Sequence, residues 1–141
     1  MSFQFIPFLC FLLSLGACSS YEQSRQQAIK QQQYMIQGKM LYEAHCMNCH
    51  QIDGSGLGKL IPPMDSSFIQ SKLSNVICGI KNGMEGKLTI QGVTYDGIMP
   101  ANPRLTPLEI AELATFISNT WSHSDTLIPP SEAQQSLNGC K

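Results

Sequence analysis

The run Cys46-Met47-Asn48-Cys49-His50 constrains this chain more than any other feature. Two thiols three positions apart on a helical turn project to one side, spaced to grip one flat macrocycle at two points of its rim. An imidazole directly after the second thiol can rise beneath the same ring and offer a nitrogen to a metal at its centre. C-x-x-C-H is the attachment pattern of a c-type haem, and a fold carrying it has to be built around that cofactor. The competing uses of a C-x-x-C pair fit less well. A thioredoxin-like redox pair needs a βαβ setting, which the surroundings of Cys46 lack, and a zinc site needs a second paired-ligand cluster, which the sequence does not contain.

The chain has 141 residues and a net charge of −1, enough for one domain and no basic surface for nucleic acid. Phe3 to Ala17 is almost wholly apolar, about fifteen residues, short for a bilayer span and suited to the apolar core of a signal peptide. It ends in Leu15-Gly16-Ala17-Cys18, which resembles the bacterial lipobox, whose cysteine is lipidated and becomes the new N-terminus. No Lys or Arg precedes the apolar run and Pro7 interrupts it, so an ordinary signal peptide with an incidental Cys18 stands as the alternative. Ser19 and Ser20 follow without an Asp, which leaves outer-membrane placement open.

The expected organisation is a signal peptide over 1–17 with the lipobox at 15–18, a polar Gln-rich tether over 18–37, a compact domain over 38–124 and a tail over 125–141. The tether has too few apolar groups to form a core and is expected to be helical in its second half. It would let a small domain reach a partner while staying at a membrane. Of six cysteines, Cys10 leaves with the signal, Cys18 would carry lipid, and Cys46 and Cys49 would hold haem. Cys78 and Cys140 remain, and outside the reducing cytoplasm two such thiols in a small domain pair or stay free. Pairing would close a loop of about 62 residues and stabilise by roughly 4 kcal/mol.

Within the domain, helical spacing of Ile36, Met40, Leu41 and Ala44 predicts a helix from the middle thirties to Cys49, notched by Gly38. A loop rich in glycine follows His50, ends in Pro62-Pro63 and can lie close to a flat ring. Short helices are predicted over Ser67 to Leu73 and Asn75 to Asn82, then a hairpin of Leu88-Thr89-Ile90 and Val93-Thr94-Tyr95 about Gln91-Gly92. Thr106-Pro107-Leu108-Glu109 forms a capping box for a last helix whose stripe is Ile110, Leu113, Ala114, Ile117 and Trp121. Pro129-Pro130 is expected to end regular structure.

Met99, in Gly97-Ile98-Met99-Pro100, lies beyond the hairpin on a segment too rich in Gly and Pro for a helix. A thioether is a soft neutral donor suited to iron and raises its potential relative to a second histidine, which makes Met99 the candidate distal ligand and Met84 its rival.

From Gly38 to Trp121 these motifs resemble a class I mono-haem cytochrome c domain of the bacterial type. The resemblance rests on G-x-x-L/M-Y leading into C-x-x-C-H, the P-P loop, an N-G segment, V-x-Y-x-G-x-M-P and L-T-P-x-E-I-A-x-L-x-x-F-I-x-x-x-W. It implies an all-α class, a small helical bundle around one covalent haem c, with a minor β-hairpin before the distal ligand loop. It implies crossing first and last helices that meet at Gly38 against Phe116. It also implies a carbonyl from Ile61 to Pro63 that accepts the second ring proton of His50. Tyr95 and Trp121 are candidates for haem-propionate contacts or plain core aromatics.

An iron held by His50 and Met99 has no vacant position for a small-molecule substrate, which argues for electron transfer between ferric and ferrous states and against an enzyme. The expected protein is an electron carrier, lipid-anchored through Cys18 at the periplasmic face of a bacterial membrane, with redox proteins of the periplasm or inner membrane as partners. The alternatives are a permanent subunit of a respiratory complex, a small haem peroxidase or a haem-based sensor. Lys39, Lys59 and Arg104 lie in segments that could rim the haem or simply form a solvated surface.

Overall fold

A computed structural model describes the backbone of residues 6–140 and side chains from Tyr21 onward. The signal-peptide reading and the lipidated Cys18 therefore fall outside the described residues. Eight elements follow one another: α1 (Ile6–His45), α2 (Met47–His50), α3 (Ser66–Ser71), α4 (Leu73–Asn82), β1 (Leu88–Ile90), β2 (Val93–Tyr95), α5 (Pro107–Ser122) and α6 (Pro130–Asn138). No helix among the described residues is long and apolar enough to cross a membrane.

The chain divides into a first unit, residues 1–33, and a second, residues 34–141. The Gln-rich tether is helical along its length, not only in its second half. Gln, Lys, Arg, Glu and Ala are good helix formers, and Glu22 anchors local pairs with Arg25 at 3.9 Å and Gln26 at 3.3 Å. Polarity alone does not make a coil.

The second unit is the all-α cytochrome c-like bundle with one small sheet. Its core gathers around α5, whose Ile110, Leu113, Ala114 and Ile117 are buried at helical spacing. Thr106 and Glu109 make both halves of the capping box that starts this helix, with Pro107 in its first turn. Where α1 crosses α5, a Cβ on Gly38 would collide with the Glu112 carbonyl and the Phe116 side chain, so only glycine permits the approach.

The strands β1 and β2 pair antiparallel in the register Leu88 to Tyr95 and Ile90 to Val93. Gln91 and Gly92 between them both take positive φ, 49° and 77°, as a tight primed hairpin turn requires. α3 starts one residue earlier than predicted because Asp65 caps it, and α4 starts two earlier, at Leu73.

The C-terminal tail departs most from expectation. Pro129 and Pro130 do not end regular structure; they open α6, with Pro130 in the first turn, where its missing N–H costs nothing. α6 packs on α4 and α5 through buried Ala133, and a disulfide joins Cys78 of α4 to Cys140 just past α6.

Candidate functional site

Residues 46–50 occupy a helical turn of their own. The predicted helix to Cys49 breaks instead at Cys46, whose backbone leaves the α region at φ −123° and restarts the chain as α2. Continuity of hydrogen bonding is kept: Cys46 N donates to Tyr42 O at 2.8 Å, and His50 N donates to Cys46 O at 2.9 Å. Both thiols are free, Cys46 buried and Cys49 exposed. Burial, with a lesser contribution from neighbouring Cys49, pushes the Cys46 thiol up to about 11, so it stays protonated at neutral pH.

His50 is fixed by its other ring nitrogen. Nδ1 donates to the Pro62 carbonyl at 3.1 Å, which leaves Nε2 as the nitrogen able to reach a metal. Burial lowers its pKa against the opposing pull of that carbonyl, so the ring favours the neutral form a ligand needs.

Two aromatic ties secure the loop beyond it. The buried Tyr42 hydroxyl donates to Gln51 O at 2.6 Å, and Trp121 Nε1 donates to Asp53 O at 3.0 Å. Tyr42, Phe116 and Trp121 stack together with centroids 4.9 to 5.7 Å apart. The indole N–H therefore serves the loop backbone, not the propionate contact considered for it. Gly54 gives the indole its room and Gly56 gives room to the Pro62 backbone, so these glycines clear space for protein rather than for a flat ring.

A cleft opens between this turn and the distal segments. Its inner half is lined by Cys46, Met64, Asp65, Ile69, Val76, Ile80 and Ile117; its outer half by Cys49, Leu60, Glu85, Lys87, Tyr95 and Ile98. His50, Pro62, Met84, Leu88 and Met99 line both halves, so the candidate proximal and distal ligands face one continuous space.

Met99 and Met84 are paired by two backbone hydrogen bonds of 2.9 and 3.0 Å, an isolated antiparallel bridge that the sequence does not signal. Their side chains differ in surroundings. A Cβ on Gly79 would meet Met84 Sδ at 2.6 Å, so the Met84 thioether fills the room that α4 leaves at that glycine.

The mouth of the cleft is apolar: Leu57, Leu60 and Ile98 are 50%, 70% and 81% exposed. Of the charged residues considered for the rim, Lys39 pairs with Glu43 on α1 at 3.8 Å, and none of Lys39, Lys59 and Arg104 lines the cleft; Lys87 and Glu85 do.

The residues present fit a covalently held haem. Two unpaired thiols, an oriented neutral imidazole and a thioether border one largely apolar cleft, a donor set of the kind iron takes in a porphyrin.

Comparison with known proteins agrees. A family model described as Cytochrome c matches residues 35–121. Two curated relatives, each named cytochrome c-552, come from Thermus thermophilus, the second from a particular strain of that species. Both are 27% identical over 89 residues, 60% of this chain, and the match spans 67% of the first relative and 60% of the second.

Proposed function

The chain belongs to the cytochrome c family, whose members carry covalent haem c and transfer electrons, and from that premise we propose a membrane-tethered periplasmic electron carrier built on the cleft described above. The observation that carries the site assignment is the bond from His50 Nδ1 to the Pro62 carbonyl, which orients an imidazole beside two free thiols in an apolar cleft. Cys46 and Cys49 would hold the porphyrin through thioether links, with His50 Nε2 and Met99 Sδ as the axial donors. When bound, the haem supplies an iron that accepts and returns one electron.

The protein's own work is to hold that centre still. Pro62 fixes the ring plane of His50; the Met84 to Met99 bridge fixes the backbone that presents Met99; the apolar inner wall excludes water. Small structural change between oxidation states keeps the barrier to transfer low. Leu57, Leu60 and Ile98 surround the mouth beside exposed Cys49, which favours brief encounters with redox proteins through an apolar face. Cys18 is assigned as the lipidated residue, with the polar helix after it as the stem.

Replacing Cys46 and Cys49 together by Ser should leave no pigment attached after denaturing electrophoresis, whereas the wild-type band stays coloured. A wild-type product whose colour is stripped by acid acetone overturns the assignment. Retention of a Cys18→Ser protein in the membrane fraction overturns the anchor.

A further inference from the structure

Asp65 stands out in the cleft wall. Its neighbours along the inner half are Met64, Ile69, Val76, Ile80 and Ile117, all apolar, and the residue is only 8% exposed. It accepts hydrogen bonds from Ser67 Oγ at 2.5 Å, from Phe68 N at 2.8 Å and from Gln91 Nε2 at 2.8 Å. The first two cap α3, and the third ties the turn of the hairpin to it. A cap alone would serve equally well with Ser or Asn. The carboxylate adds a full charge, and no cation among the described residues pairs with it.

We propose that Asp65 is a positioning residue with an electrostatic role: a fixed negative charge in the wall of the haem cleft that favours ferric over ferrous iron and so holds the reduction potential down. The inference rests on the cytochrome c reading above. Reduction adds one negative charge to the centre, and a nearby anion in a poorly screened wall opposes that addition. The three donors, chiefly Ser67, then Phe68 and Gln91, keep the carboxyl below its ordinary range, so the charge persists across neutral pH. Glu85 is a useful contrast, since it lines the outer half and is exposed to solvent.

The test is a redox titration of full-length, haem-loaded protein. Asp65→Asn and Asp65→Ser both keep a capping side chain and remove the charge, and both should shift the midpoint potential upward. The shift should survive high salt, while any shift from Glu85→Gln should fade there. Gln91→Ala removes a tie but not the charge, and should lower the melting temperature without the upward shift. Unchanged potentials in both Asp65 variants, with the ferric sulfur-to-iron band intact, overturn the proposal. A wild-type protein without covalent haem overturns the reading beneath it, and this inference with it.

Discussion

The two walls of the cleft are built on opposite plans. The proximal wall is local: Cys46, Cys49 and His50 sit within one turn, and the Pro62 carbonyl that orients His50 is twelve residues away. The distal wall is assembled from remote pieces. Met99 is held by Met84, Met84 rests on Gly79 of α4, the hairpin is tied by Gln91 to Asp65, and α4 is clasped by α6 through Cys78 and Cys140. A local wall survives small losses of tertiary packing, whereas a remote wall depends on every tie that closes its long loops. Covalent attachment should therefore outlast distal ligation whenever this protein is stressed.

The largest expected effect comes from cutting the clasp. With 62 residues between its cysteines, the disulfide stabilises by about 4 kcal/mol on the chain-entropy estimate. Cys78→Ser with Cys140→Ser should lower the melting temperature by on the order of 15–20 °C. The ferric sulfur-to-iron band should disappear at a lower temperature than in wild type while pigment remains attached. An unchanged melting curve would mean that the distal wall needs no support from the C-terminus.

Gly38→Ala tests the proximal side, because the same α1 that crosses α5 at Gly38 leads into the attachment turn. The added methyl meets backbone and a Cβ rather than a flexible chain end, so the helices have to part. We expect a loss of about 2 kcal/mol by denaturant unfolding. A gain in stability, as Ala in a helix interior ordinarily brings, would show that the crossing is looser than described.

Legibility in the sequence follows the same division. The attachment motif, the capping box at Thr106 and the Gln91-Gly92 turn could be read because each is a short contiguous signal with a local cause. The break at Cys46 could not, since helical periodicity continues through it and tertiary placement of the thiol decides. The proline pair before α6 was legible in principle: Pro at a first turn is as good a start signal as a stop signal, and only packing on α4 and α5 selects between them. Asp65 followed by two serines and Phe68 carries an N-cap signature, but its place in the cleft wall depends on α4 and the hairpin, which no local pattern encodes. Tyr42 reads as one more apolar helix position, and its hydroxyl bond to Gln51 needs the turn that follows.

Tyr42→Phe is the next smaller probe. It preserves the stack on Phe116 and Trp121 and removes only the hydrogen bond to Gln51 O, for a loss of about 1 kcal/mol. Gln51 is held at φ 64°, uncommon for a residue with a side chain, and that hydroxyl helps to hold it. The effect should appear in stability and leave the sulfur-to-iron band in place, because the tie belongs to the proximal wall.

The smallest expected effect is on the acid side of the stability profile, where the distal tie between Gln91 and Asp65 can be isolated. Hydrogen bonding holds the Asp65 carboxyl below its ordinary 3.8, so its contribution is fully present above that value and is lost as pH falls through the lowered folded value. Gln91→Ala removes the third donor and moves the folded value back toward the ordinary one. Wild type should then exceed the variant by about 0.5 kcal/mol at neutral pH, and the gap should close as acid protonates Asp65 in both proteins. Urea unfolding at a series of pH values measures it. A gap that stays constant down the acid arm would mean that Gln91 supports the hairpin without acting on the carboxylate, and that the charged wall and the remote ligand strand are held independently.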